Sequence, residues 1–190
     1  MAHAPAPSST NTKIMTRALA FFLIFLCSCS NADSKTANKN NTANTATKVV
    51  AGWVERVCIE GLQEPIKAKL DSGAKTSSIY AENIKPYKKD GKNRVEFTLV
   101  LNDSNKKVHR IKLDKPRSRK VKIKNHDGVH DRRVTVELDI SFNNKVERAE
   151  FTLVDRSEYI YPILLGRRYL GSRVLIDPGQ TFLKPSTCSP

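Results

Sequence analysis

The sequence predicts an all-β fold: a small, single-lobe barrel with one short helix close to the C-terminus. Three observations predict it. Short apolar segments alternate with polar residues at a period of two. Gly, Asn and Asp turn signals recur between them, the pattern of a small closed or half-closed barrel. Only one segment, residues 167–171, offers a good helix candidate.

The elements follow in chain order. Residues 53–60 and 65–70 read as two strands around Gly61-Leu62, and residues 76–80 as a third, short one whose Ser, Ile and Tyr suit a pleated surface. Asp90-Gly91 marks a turn. Residues 94–101 alternate strictly, with Val95, Phe97, Leu99 and Leu101 on one face. Residues 102–106 turn the chain into a strand at 108–113. Residues 121–124 and 133–140 flank Asn125-His126-Asp127-Gly128, a strong hairpin signal. Asn143-Asn144 joins 134–142 to 146–154 in a second hairpin. Residues 162–165 form a short apolar strand expected to be buried. Residues 174–176 and 181–183 close the chain around Pro178-Gly179, where Asp177-Pro178-Gly179 reads as a turn. There is no internal repeat, no heptad pattern and no phosphate-binding loop.

Residues 1–28 stand outside this fold. Lys13 and Arg17 precede an apolar run at 18–26 that is too short to span a bilayer, the form of an export signal. The run ends in Leu26-Cys27-Ser28-Cys29, which resembles the lipobox of bacterial lipoproteins. That resemblance implies acyl chains on Cys29, and Ser30 after it resembles the class sent to the outer membrane. The chain is then expected at the bacterial envelope, lipid-anchored and facing the periplasm. Residues 29–48 are Asn, Thr, Ala and Lys with almost no apolar content, a flexible tether that cannot offset its ordering entropy. The folded domain is expected over 49–184, with a tail at 185–190.

The full chain carries a charge of +14, and removal of Lys13 and Arg17 leaves 31 Lys and Arg against 19 Asp and Glu, or +12. The basic residues are spread over several hairpins, which reads as solvated strand faces near an anionic membrane; an acidic peptide substrate is the sharper alternative. Nucleic acid is not expected as a partner outside the cytoplasm. Cys58 and Cys188 are free to pair in an oxidising compartment, and the sequence leaves open whether they meet. His109, His126 and His130 do not have metal-ligand spacing, so no metal and no cofactor is expected.

Two separated stretches carry the chemistry. Lys69-Leu70-Asp71-Ser72-Gly73-Ala74 places a carboxylate at the end of an apolar strand, followed at once by a hydroxyl and a glycine. Pro162-Ile163-Leu164-Leu165-Gly166-Arg167 follows far along the chain. With Gly52-Trp53 before them and Ile176-Asp177-Pro178-Gly179 after them, the order resembles the retropepsin-like aspartic peptidases. The closer resemblance is to a bacterial branch often labelled "ATP-dependent zinc protease", with Lys75-Thr76-Ser77 continuing the motif. Neither ATP nor zinc is supported by these residues.

The resemblance implies a role for each site residue. Asp71 would be the single catalytic carboxylate of each chain, completed by Asp71 of a second copy in a homodimer. Two such carboxylates share one proton, so that one activates water while the other polarises the peptide carbonyl. Ser72 would hydrogen-bond across the dimer, and the Gly73 amide would point at a carboxylate oxygen. Ala74 and Lys75 would meet the peptide. The hairpin around His126, Asp127, Gly128 and His130 would close over it as a flap. The alternative is a binding module on the same barrel, in which Asp71 is only a turn residue and the basic hairpin grips an acidic peptide or polymer.

Overall fold

The computed structural model describes residues 47–124 and 130–188. The expected export signal, Cys29 and most of the tether lie outside the described residues, as do His126, Asp127 and Gly128. His130 enters only as the first backbone position of a strand.

Ten strands and one helical turn make up the described domain: β1 (Val49–Ile59), β2 (Ile66–Asp71), β3 (Ser77–Lys89), β4 (Lys92–Asn102), β5 (Val108–Pro116), β6 (Arg119–Lys124), β7 (His130–Phe142), β8 (Lys145–Val154), β9 (Ile163–Gly166), α1 (Arg167–Leu170) and β10 (Val174–Thr181). Six of them close a barrel in the order β1, β2, β9, β3, β8, β7 and back to β1. Closure matters because a closed sheet leaves no unpaired edge at the core. β10 extends the sheet outward from β1, β6 from β7, and the β4–β5 hairpin from β3.

The alternation read from the sequence becomes burial. Val95, Phe97, Leu99 and Leu101 of β4 are wholly buried, and they join Phe151, Leu138, Ile140 and Ile163 in one core. The turns carry the backbone that their residues favour. Asn143 and Asn144 take φ of 53° and 58°, and Asp90 and Gly91 take 50° and 73°, the left-handed pairs that match the twist of two-residue hairpins.

Two strands run longer than the sequence pattern predicts. β3 continues past Tyr80 to Lys89, because it pairs with β8 over its first half and with β4 over its second. The partner changes between Tyr80 and Ala81, and a bulge follows between Glu82 and Lys85, where Asn83 has φ of 52°. In place of two closing segments at 174–176 and 181–183, one strand, β10, runs from Val174 through Pro178 to Thr181. On an outer strand a proline forfeits no ladder bond. The Asp177 turn survives as a local bond, with the Gly179 N–H donating to Asp177 Oδ1 at 2.8 Å.

The segment after β10 is fastened down. Glu55 on β1 is wholly buried, and its Oε1 accepts the N–H groups of Gly52 at 2.7 Å and Leu183 at 2.9 Å. Its Oε2 accepts the Lys184 N–H at 3.1 Å. Three amide bonds offset what burying a carboxylate costs. The Thr187 N–H donates to Asn144 Oδ1, and Cys58 and Cys188 form a disulfide across 130 residues. The residues expected as a tail are thus a strap over the barrel as far as Cys188.

Candidate active site

The site is built where β2 and β9 run parallel. Asp71, the last residue of β2, lies opposite Gly166, the last of β9. The loop from Ser72 to Thr76 then folds back over the corner between β9 and α1. Gly73 donates its N–H to Asp71 Oδ1 at 2.9 Å, and Ala74 donates to the same oxygen at 3.3 Å. One carboxylate oxygen is therefore held by the turn. The other, Oδ2, has the Lys69 ammonium 3.4 Å away. The Asp71 side chain stays 26% exposed, open to solvent where Glu55 is sealed.

Arg167 fixes the loop from below. Its Nη1 donates to the carbonyls of Ser72 and Gly73, each at 2.8 Å, and its backbone N–H donates to the Ala74 carbonyl at 2.8 Å. It braces the Asp71 turn through carbonyls. The Arg168 N–H adds a bond to the Lys75 carbonyl at 3.1 Å. Gly166 is required by close approach: a Cβ there would lie 2.6 Å from the Thr76 carbonyl carbon and oxygen. Its N–H donates to the Ser77 hydroxyl at 3.1 Å, inside the core.

Asp71 opens into a cleft of about 480 Å³. Trp53, Tyr161 and Leu164 supply apolar walls, with the rings of Trp53 and Tyr161 meeting edge to face at 5.9 Å. Lys69, Arg156 and Glu158 supply charge. Ser72, Gly73 and Lys75 are exposed beside it and Ala74 is half-buried. The triplet expected to be catalytic, Asp71-Ser72-Gly73, and Ala74-Lys75 thus come together at one turn. Where the expected flap stands over this cleft is outside the described residues.

Arg156 and the pair Trp53–Tyr161 were not assigned a role from the sequence. Gly52-Trp53 was visible as a motif, but Asp155-Arg156-Ser157-Glu158 reads as an ordinary solvated loop. Nothing local in it signals that the arginine turns inward to Ser78, which is 78 residues earlier in the chain.

The sequence profile of the RimB-like family, described as "Retropepsin-like aspartic endopeptidase RimB", matches residues 50–187. The chain belongs to this family. A crystal structure of a protein of unknown function from Legionella pneumophila has the same fold as this RimB-like chain, with a TM-score of 0.60 and 29% identity, covering 72% of this chain and 98% of that one. Curated relatives carry a different name. A "Probable alpha-L-glutamate ligase" of Shewanella pealeana is 34% identical over 136 residues, which are 71% of this chain and 30% of the ligase. One of Desulfotalea psychrophila is 36% identical over 121 residues, 60% of this chain and 24% of that protein. The RimB-like chain spans less than a third of the length of these relatives.

Proposed function

We propose that this RimB-like chain is an aspartic endopeptidase that works as a homodimer and hydrolyses acidic, glutamyl-rich peptides at the bacterial envelope. The observation that carries the reading is the state of Asp71. Its Oδ1 is held by two loop amides and its Oδ2 has an ammonium as its neighbour, and the residue lines a cleft of about 480 Å³. Preorganising one oxygen fixes the carboxylate, and leaving the other with an ion pair but no loop amide suits it to take a water molecule.

One such loop per chain calls for a second copy. Pairing two Asp71 carboxylates gives a dyad that holds one proton between them; the ionised member activates water and the protonated one polarises the peptide carbonyl. Among the described residues the outward side of β10 is an unpaired edge. Beside it Val50 and Leu175, register partners on β1 and β10, are 49% and 54% exposed, an apolar patch suited to a two-fold contact.

The substrate class follows from two supports. A barrel like this one forms part of longer proteins named for joining α-L-glutamate, and a domain held beside such an enzyme acts at high effective concentration on what it makes. The chain itself is strongly basic, at +14. The Cys58–Cys188 disulfide supports an oxidising compartment, in keeping with anchorage through lipid on Cys29.

The test is cleavage of a diverse peptide library by the full chain and by its Asp71→Asn variant. The full chain should cut acidic peptides, and the variant should be slower by at least about a thousandfold. Binding of acidic peptides with no cleavage by either would turn the reading to a binding module.

A further inference from the structure

Arg156 is the one arginine among the described residues that is buried, at 7% exposure. Its surroundings are unlike those of the surface arginines. Arg94, Arg110, Arg119, Arg148 and Arg173 all sit at the surface or half-buried, and each is paired with a carboxylate. Arg156 has no carboxylate within ion-pair distance among the described residues. Its Nε donates to the Tyr161 carbonyl and its Nη1 to the Ser78 hydroxyl, both at 3.0 Å. The Tyr159 ring covers the guanidinium, with 4.4 Å from its carbon to the ring centroid.

Removing a cation from water without an anion is costly. Burial accordingly pushes the Arg156 guanidinium below its ordinary value, the nearby Arg133 adds to the fall, and Tyr159 and Asp71 oppose it. Two neutral oxygens use two of the three edges of the fork. Nη2 donates to no protein atom among the described residues, and no sealed side-chain nitrogen there lacks a partner, so this third edge is not sealed off, and Arg156 lines the cleft it shares with Asp71. The arginine is preorganised by two bonds and a stacked ring, in the lining of the site, with donors left unused.

Its place along the cleft is fixed by register. Asp71 lies opposite Gly166 on β9, and Ser78, which holds Arg156, lies opposite Leu164. Two residues along a strand is about 7 Å. That is the reach from a scissile bond to the side chain of a residue one or two positions away in an extended peptide.

We propose that Arg156 is the specificity-determining residue of this cleft, receiving the side-chain carboxylate of a glutamyl residue within two positions of the scissile bond. The inference rests on the reading of the cleft as a site for acidic peptides and names the group that selects them. A planar guanidinium matches a carboxylate with paired, charge-assisted bonds, and a site built around such a donor rejects the uncharged amide isostere.

The experiment uses the full chain carrying Asp71→Asn, so that bound peptides persist. Trp53 is the only tryptophan in the sequence and lines the cleft, so its emission reports binding. The probes are α-linked tri-glutamate and tri-glutamine. Tri-glutamate should bind at least about thirtyfold more tightly, and Arg156→Met on the same background should reduce that preference to about threefold or less. Arg156→Lys, which keeps the charge and loses the fork, should fall between them. Equal binding of the two peptides, or a preference that survives in Arg156→Met, would overturn the proposal. Because Arg156 also holds Ser78 and Tyr161, the Met variant can fail to fold. The side-chain nitrogen resonances of Arg156 in the unsubstituted arginine background then decide: a shift with tri-glutamate and none with tri-glutamine supports the proposal, and no shift with either overturns it. Cleavage is read separately, on chains with Asp71 intact. A preference seated at Arg156 without any cleavage would sink the peptidase reading and leave this assignment standing.

Discussion

Asp71 and Glu55 stand on neighbouring strands, and both carboxylates gather backbone amides. Glu55 accepts three N–H groups, is wholly buried and has both oxygens engaged. Asp71 accepts two, both on one oxygen, and stays open to a cleft. The difference separates a carboxylate that holds the fold from one that the fold holds. A satisfied, sealed acid stabilises by its bonds; an acid at a cleft with one oxygen bound by no amide keeps its capacity for a ligand or a water.

The same chemical change at the two positions should therefore give opposite results. The largest effect is expected from Asp71→Asn, with cleavage lost by a thousandfold or more, as proposed above, and unfolding in urea shifted by less than about 1 kcal/mol. A large loss of stability there would erase the contrast. The next effect sits at the other end of the strap. Replacing Cys58 and Cys188 by Ser opens a 130-residue loop and should reduce stability by about 3 kcal/mol, measured by urea unfolding, with peptide cleavage retained well below the midpoint.

Glu55→Gln comes third. It sets an amide nitrogen against backbone donors and should cost about 2 kcal/mol in the same assay while leaving cleavage per folded molecule unchanged. If it instead lowered cleavage with no change in stability, Glu55 would belong to the site.

The smallest effect concerns a carboxylate served by cations rather than amides. Hydrogen bonding from Arg119, with help from Arg168, holds Glu150 below its ordinary value of 4.5. Its contribution to stability is present above that unfolded value and is lost as pH falls through the lower folded one. The unfolding midpoint should therefore drop with falling pH in that range, and the drop should be shallower in Glu150→Gln. An identical acid limb in both chains would remove Glu150 from the account.

The barrel was legible because a strand with one face in the core must alternate, and 94–101 and 134–142 do. β3 beyond Tyr80 was not, since Lys85, Lys88 and Lys89 are exposed and give no apolar face to read. The run of β10 through Pro178 depends on its outer position, which only the assembled sheet supplies. At the site, the Asp71 turn is local and was readable from six residues. Arg156 was not, because its burial is decided by Tyr159 above it and by Ser78 on a strand far away in sequence. Likewise the spacing of Cys58 and Cys188 left their pairing open until the strap over β1 was seen.

Gly166 gives the Asp71 turn an engineering consequence. With Thr76 and Ala74 backbone where a side chain would stand, the turn after β2 and the corner after β9 interlock like two halves of a joint. A designer who grafts the Asp71 loop alone into another scaffold would move the carboxylate without its mounting. The transferable unit is the pair of segments, 69–77 and 163–168, carried together with their spacing intact.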